Sequence, residues 1–477
     1  MPSERLLIRG GTVLSIDPDI GELPVGDVLI EDGRIAAVGP RIDAEDCEVI
    51  DAADCIVMPG FIDTHRHTWQ APWRNIAADW SLAHYFTGLH AGLSGHYRPQ
   101  DTYIGNLIGT LEALDSGVTT LLDWSHNLNT PEHADGAIRA LFESGARVVF
   151  AHGGGAPEWQ VPSDVPHTRD AKRVREQYFS SDDQLVTMAM ALRGPQFAPG
   201  ETSEHDWALA RELDTRITVH VGDGEWGKTR PIQWLRDRDL LADDITYVHC
   251  NTLADDELAM IADSGGTASV APDIELQMGH GWPATGRLLA AGIRPSLSVD
   301  VCTATAGHMF GLMRTALLTQ RGLDNAAVEA AGGEASSIER LSLSCRDVLE
   351  FATIEGARAC GLDHRTGSLT PGKDADVIVI RADSLGMTPL NNPAGAVVYN
   401  AHPGLVDTIL VAGRVVKRDG VLLGVDPGRV RRLAIETRDH LLEAAHGDPR
   451  IANASIGGDW IPDAYVPEEE HGHEHAH

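Results

Sequence analysis

Between about residues 59 and 365 the chain alternates short apolar runs with stretches of helical periodicity, and this alternation limits the fold more than any other feature. Eight runs are legible: IVMPGFI, VTTLLD, ARVVFA, LVTMAMA, RITVHV, DITYVH, TASVA and IRPSLSVD. Parallel strands need a long crossover and a helix supplies it, so repeated strand–helix units build a helix-covered parallel sheet. Eight units are the number that closes such a sheet into a (β/α)8 barrel, the TIM-barrel architecture of the α/β class. Helices are expected over residues 99–116 and 254–263. An open dinucleotide-binding sheet is disfavoured, because the GVTT turn lacks the Gly-x-Gly-x-x-Gly that would admit a pyrophosphate.

The flanks have a different period. LLIRGGTVLSID, GDVLIEDGRIAAVG and CIVMPG alternate as short strands with Gly, Asp and Pro turns, and the pattern returns in GSLTPGKDADVIVIRAD and LVDTILVAGRVVKRDG. The two ends therefore read as halves of one small β-sandwich, 1–58 with 366–424, into which the barrel of 59–365 is inserted. Residues 425–477 read as a helix (VRRLAIETRDHLLEAA) followed by an acidic, His-rich tail. The tail histidines His471, His473, His475 and His477 are either disordered decoration or an open-chain metal reservoir.

Acidic residues outnumber basic ones 70 to 38, a formal charge of -32 that repels phosphate backbones and anionic lipid. No run approaches the roughly 20 apolar residues of a membrane span. The N-terminal MPSERLLIRGG has no basic start and apolar core of a secretory signal, so a cytoplasmic location is expected. Six scattered cysteines without a Cys-x-x-Cys pair argue for free thiols, against both a disulfide framework and a thiolate zinc site. The expected partner is a small molecule, with neither nucleic acid nor membrane.

Catalytic side chains of such barrels sit at the carboxyl ends of strands. Strand one ends in His65-Arg66-His67, whose two-residue alternation sends both imidazoles to one side. Strand five ends at His220, strand six at His249 and strand eight at Asp300. Neutral imidazoles plus a carboxylate are what a Zn²⁺-like ion needs if one position is to stay open for water. Such an ion lowers the pKa of its water toward about 7, and a neighbouring carboxylate can take the proton. A lone histidine at a strand end is more often a core or surface residue, so His-x-His after Pro-Gly-Phe-Ile-Asp carries most of this reading.

PGFIDTHRH resembles the opening motif of the amidohydrolase superfamily, and HTWQAPWRNIAADWSLAHYF resembles the long first loop of its cytosine deaminase and triazine hydrolase branch. The likeness continues through LEALDSGVTTLLD, VHCNTLADDELAMIADSGGTASVAP, ATIEGARACGL and GSLTPGKDADVIVI. It implies one divalent metal, Zn²⁺ first with Fe²⁺, Mn²⁺ or Co²⁺ also compatible, held by His65, His67, His220 and Asp300. It further implies that His249 meets the reacting water or substrate, that Asp300 doubles as a proton acceptor, and that the enzyme is a homodimer or larger. Binuclear relatives use a carboxylated lysine on strand four. The chain's four lysines, Lys172, Lys228, Lys373 and Lys417, all lie off the barrel strands.

Two departures from the branch matter. The glutamate usual three residues after the strand-five histidine is replaced in His220-Val-Gly-Asp223-Gly-Glu225, leaving Asp223, Glu225 or neither as proton shuttle. After strand seven, APDIELQMGHG replaces the usual Pro-x-Ser-Asn, and Glu275 becomes either a substrate contact or half of a buried ion pair, with Arg193 as a possible partner. Gln70, Trp73, Arg193 and Glu275 are the candidate substrate contacts. Tryptophans after several strands (Trp69, Trp73, Trp80, Trp124, Trp159, Trp226, Trp282) suit a planar ligand or merely pack loops together. The expected chemistry is hydrolysis at a ring carbon of an aminated or similarly substituted nitrogen heterocycle, releasing ammonia or an equivalent leaving group. Cleavage of an amide, urea or carbamate is the alternative, and a non-catalytic scaffold of the same fold the rival from another class.

Overall fold

The computed structural model describes residues 5–159, 163–451 and 460–462. The tail histidines lie outside the described residues. Eight parallel strands follow the eight apolar runs: Phe61–Arg66, Val118–Ser125, Arg147–His152, Val186–Leu192, Arg216–Val221, Ile245–His249, Thr267–Val270 and Ser296–Leu297. All eight pair in sequence order as one sheet. The ring is completed by a single parallel bridge between Arg66 and Asp300, where Asp300 N donates to His65 O and His67 N donates to Asp300 O, at 2.9 and 2.8 Å. Closure thus happens at the two segments that carry the His-x-His pair and the aspartate.

Nearly every barrel-strand residue is buried, as strands covered on both faces require. The outward faces form one core with the surrounding helices, including Ile138, Leu141, Leu258, Ile261, Leu312 and Met313. The expected helices are present as Pro99–Asp115 and Asp255–Asp263. The first run divides: Cys55–Pro59 leaves the barrel to pair with Val377–Arg381 of the other sheet, and the barrel strand begins at Phe61.

That other sheet has nine strands drawn from both chain ends. It folds back on itself, since Arg34 bridges to Asp374 and Ile35 N donates to Lys373 O. Ile8, Val28, Ile35, Val57, Val377 and Leu410 share its separate core. Arg147, at the start of barrel strand three, joins the two bodies by donating Nε to Asp376 at 2.7 Å and Nη2 to Asp374 at 2.9 Å. The helix Pro427–Ala444 lies against Pro99–Asp115, with Thr437 Oγ1 donating to the buried Asp101. Among the described residues no helix is long and apolar enough to cross a membrane.

Candidate metal centre and active site

The strand alternation of Phe61–Arg66 sends His65 to the barrel mouth, and His67 follows at its end; both are buried. His65 Nε2 and His67 Nε2 each stand 3.3 Å from Asp300 Oδ1, and His220 Nε2 stands 3.2 Å from His65 Nε2. His67 Nδ1 lies 2.8 Å from the carbonyl of Trp124, so its proton sits on that side and the Nε2 lone pair faces the others. Burial lowers His65, and burial with mutual repulsion lowers His67 and His220 well below the usual histidine value. They are held neutral, the form that ligates. Burial pushes Asp300 up, but its hydrogen bond with His65, and the imidazoles of His65, His249 and His67 around it, outweigh burial and hold the carboxyl below its usual value.

Three converging lone pairs and a carboxylate, with His65 Nδ1 and His220 Nδ1 buried and unpartnered, make a poor hydrogen-bonded cluster. They make a good cation site: three imidazoles and one carboxylate are a borderline divalent metal's donor set. Strand four reads Val-Thr-Met-Ala-Met-Ala-Leu, with no lysine to bridge a second ion.

Three residues with φ above zero stand at the strand ends, His249 (78°), Cys250 (62°) and Asp300 (63°). Such strain costs on the order of 1–3 kcal/mol each and persists where the surroundings fix it. Here it turns His249 and Asp300 inward. His249 Nε2 is 3.7 Å from Asp300 Oδ2, and its Nδ1 is 3.2 Å from Glu275 Oε1. Burial alone would lower His249; the charge of Asp223, the hydrogen bond of Glu275 and the charge of Asp300 lift it to about 9.

Gly222 brings the next carboxylate into place. Its φ is +84°, and a Cβ there would meet the Cys250 backbone at 2.7 Å, so only glycine lets the chain turn this tightly after strand five. Asp223 is thereby buried in the cavity, with Oδ1 unpartnered, and burial raises it to about 6 against the opposing charge of His249. Glu225 points to solvent, 87% exposed and paired with Lys228.

The remaining candidates separate. Gln70 stands behind the cavity wall, donating Nε2 to Tyr85 Oη at 2.6 Å. Glu275 lies behind His249 and also accepts from Ala271 N. Trp73 is buried with Trp69 and Trp80 in a loop core, and Arg193 is committed to Asp206, Ser163 and the Glu158 carbonyl. Neither Trp73 nor Arg193 lines the cavity, and the Arg193–Glu275 pair does not form. The aromatic walls are instead Tyr85, Phe86, Trp159 and Phe197. Trp124 packs against His65, His67 and His220, while Trp226 packs behind Phe86 and Phe197 and Trp282 is 63% exposed.

Three cavity histidines, His90, His126 and His280, were not among the sequence candidates. His90 enters because Phe86–Leu93 is wound as a π-helix, a register that no apolar periodicity announces. His126 follows strand two and accepts from Trp69 Nε1 at 3.0 Å. His280 was visible in MGHG, two residues past the end of the helix Pro272–Met278.

A set of side chains able to hold a cation, on the carboxyl-terminal rim of a (β/α)8 barrel, is the arrangement of the barrel hydrolases that work with a bound metal. Within that class it belongs to the amidohydrolase family, whose family model matches residues 56–416. It is 29% identical to the 5'-deoxyadenosine deaminase of Methanothermobacter thermautotrophicus, over 91% of this chain and 98% of that protein. It is also 29% identical to the 5-methylthioadenosine/S-adenosylhomocysteine deaminase of Symbiobacterium thermophilum, over 87% and 94%. In three dimensions it resembles an adenosine deaminase from Xanthomonas campestris with bound zinc, at TM-score 0.80 and 23% identity over 92% of this chain and 98% of that one. The atrazine chlorohydrolase TrzN of Arthrobacter aurescens, complexed with zinc, matches at TM-score 0.79 and 22% identity over 91% and 100%. These two likenesses carry the fold.

Proposed function

We propose that the protein hydrolyses an aminated nitrogen heterocycle, placing a water oxygen on the ring carbon and releasing ammonia, with Zn²⁺ held by His65, His67, His220 and Asp300. The observation that carries this reading is the buried Asp223 carboxyl, unpartnered at Oδ1, beside His249 and the ligand cluster. Amine displacement needs a group that delivers protons to the ring and to the leaving nitrogen, and a carboxyl raised to about 6 by burial suits that work. The deaminase names of the sequence relatives support it.

His65, His67, His220 and Asp300 would hold a divalent cation, which would supply a water acidic enough to attack at neutral pH. Asp300 takes one proton from that water at a carboxylate oxygen as its oxygen bonds to the ring carbon. Asp223 delivers a proton from its carboxyl to the adjacent ring nitrogen, which accepts the electron pair. His249, backed at Nδ1 by Glu275, presents Nε2–H to the oxygen as charge gathers there. The proton on Asp300 then passes to the exocyclic amine, the carbon–nitrogen bond breaks and ammonia leaves, while the proton still on the new oxygen returns to Asp223, restoring its carboxyl and leaving a neutral carbonyl product. Tyr85, Phe86, Trp159 and Phe197 hold the flat ring and exclude bulk water. The chain's negative charge favours a free heterocycle over one embedded in nucleic acid. Six unpaired cysteines support a reducing, cytoplasmic setting.

The test is ammonia release across aminated purines, pyrimidines and triazines, with ureas and N-acyl compounds alongside. We expect turnover on at least one aminated ring, abolished by chelation and restored by Zn²⁺. Turnover confined to ureas or N-acyl compounds would overturn the reading.

A further inference from the structure

Beside the four-residue set lies another group of donors. Asp223, His249 and His280 each present one atom within 4.8 Å of the others, and all three are buried. His280 follows the helix Pro272–Met278 and lines the cavity, yet neither of its ring nitrogens has a partner, and Asp223 Oδ1 has none either. A buried polar atom left unpaired forfeits its hydration for nothing, so three in one small space call for a shared ligand. His249 is already oriented for one, and a cation bound there displaces the proton from its Nε2. Glu275 stands at its Nδ1, the carboxylate–histidine arrangement that aims the other nitrogen at a metal. Asp300 faces both groups, with Oδ1 3.3 Å from His65 Nε2 and His67 Nε2 and Oδ2 3.7 Å from His249 Nε2.

From this geometry we infer that Asp223, His249 and His280 form a second divalent-cation site next to the first, with Asp300 as the carboxylate between them. Two imidazoles and carboxylate oxygens select borderline cations such as Zn²⁺ and Co²⁺ over Mg²⁺ or Ca²⁺. Three protein ligands leave the second ion more weakly held than the first. Its occupation also ties up Asp223 and His249, the groups that move protons in the reaction proposed above. Excess metal therefore inhibits: activity rises with the first equivalent and falls with the second. That consequence rests on the proposed function, whereas the metal count does not.

The test loads the chelator-treated full-length protein with Co²⁺ or Zn²⁺ and measures bound metal against free metal, with unfolding temperature as a check on folding. Tail histidines contribute equally to every variant, so the difference between wild type and variant is the quantity read. His280→Phe keeps the edge-on ring contact with His249 and removes only nitrogens that lack partners. We expect it to retain the tight equivalent and to bind one further equivalent at least tenfold more weakly than wild type. Asp223→Asn, a second route should the first variant fold poorly, is expected to do the same. In Co²⁺ protein, magnetic coupling between two neighbouring ions should appear in wild type and vanish in both variants. Uptake identical to wild type in both variants, or wild-type protein without coupled Co²⁺, overturns the second site. His67→Ala, expected to lose the tight equivalent, tests the first site separately.

Discussion

Asp223 and Glu225 are two residues apart and chemically alike, but their surroundings assign them different weight. Asp223 sits buried in the cavity beside His249, while Glu225 is 87% exposed in an ion pair with Lys228. General acid–base groups contribute roughly 10²–10⁴-fold to rate, so Asp223→Asn is expected to lower kcat by about that range with metal content unchanged at one tight equivalent. Glu225→Gln should stay within about twofold, because a surface ion pair contributes little. Steady-state kinetics on the best aminated substrate checks both, and equal losses would remove Asp223 from the proton path. The sequence left this pair open because Asp223 keeps the spacing from His220 and Glu225 keeps the glutamate; what separates them is the turn at Gly222, visible only once Cys250 is seen packed against it. Strand-end position marked the four proposed ligands together with His249, and the family resemblance separated their roles. His90 was not marked, since a π-turn brings it in, and His126 was missed because strand two runs on to Ser125, past the Asp123 at which its apolar run ends.

Between elements, the strongest charged joint is Arg147 with Asp374 and Asp376, all three buried. It ties the start of barrel strand three to the segment entering the sheet strand Val377–Arg381. Removing one partner of a buried ion pair costs about 3–5 kcal/mol where the remaining charge is left without compensation; without Arg147 that charge is Asp376, since Asp374 keeps Arg365 at 2.9 Å. Arg147→Met should therefore lower the unfolding midpoint in urea substantially while leaving the metal content of the folded protein unchanged. A midpoint within error of wild type would mean that the carboxylates find other partners. The eight barrel strands and the two-ended sheet were legible because each is a contiguous run of period-two or buried apolar residues. This joint was not: Arg147 is 227 residues from Asp374, and nothing local marks either as the other's partner. The division of IVMPGFI between two sheets was hidden for a related reason, as an apolar run cannot show that Gly60 changes its direction of pairing.

At the scale of the whole molecule, the buried histidines set the response to acid. Burial lowers His90 and His152 to about 4 and His280 to about 3, and lowers His126 and His167 well below their usual value. In the unfolded chain each takes a proton near about 6.5. As pH falls from 6.5 toward 4 the unfolded state therefore binds protons that the folded state refuses, and folding stability drops. Four carboxyls oppose this: burial raises Asp63, Asp123 and Asp223 to about 6 and Glu158 to about 7, so the folded state takes those protons first. The five histidines named outnumber them, and His65, His67 and His220 shift the same way. His249 acts in a different window: raised to about 9, it stabilises the fold below about 6.5 and loses that contribution as pH rises through 9. The unfolding temperature of chelator-treated protein should thus fall steadily from pH 6.5 to 4.5. Metal-loaded protein should start higher, because a ligand that binds only the folded state stabilises it, and should fall more steeply, because protons also compete for His65, His67 and His220. Parallel curves for the two forms would show that the cation is not held by these imidazoles, and a flat curve for the chelator-treated form would show that the buried histidines are not neutral.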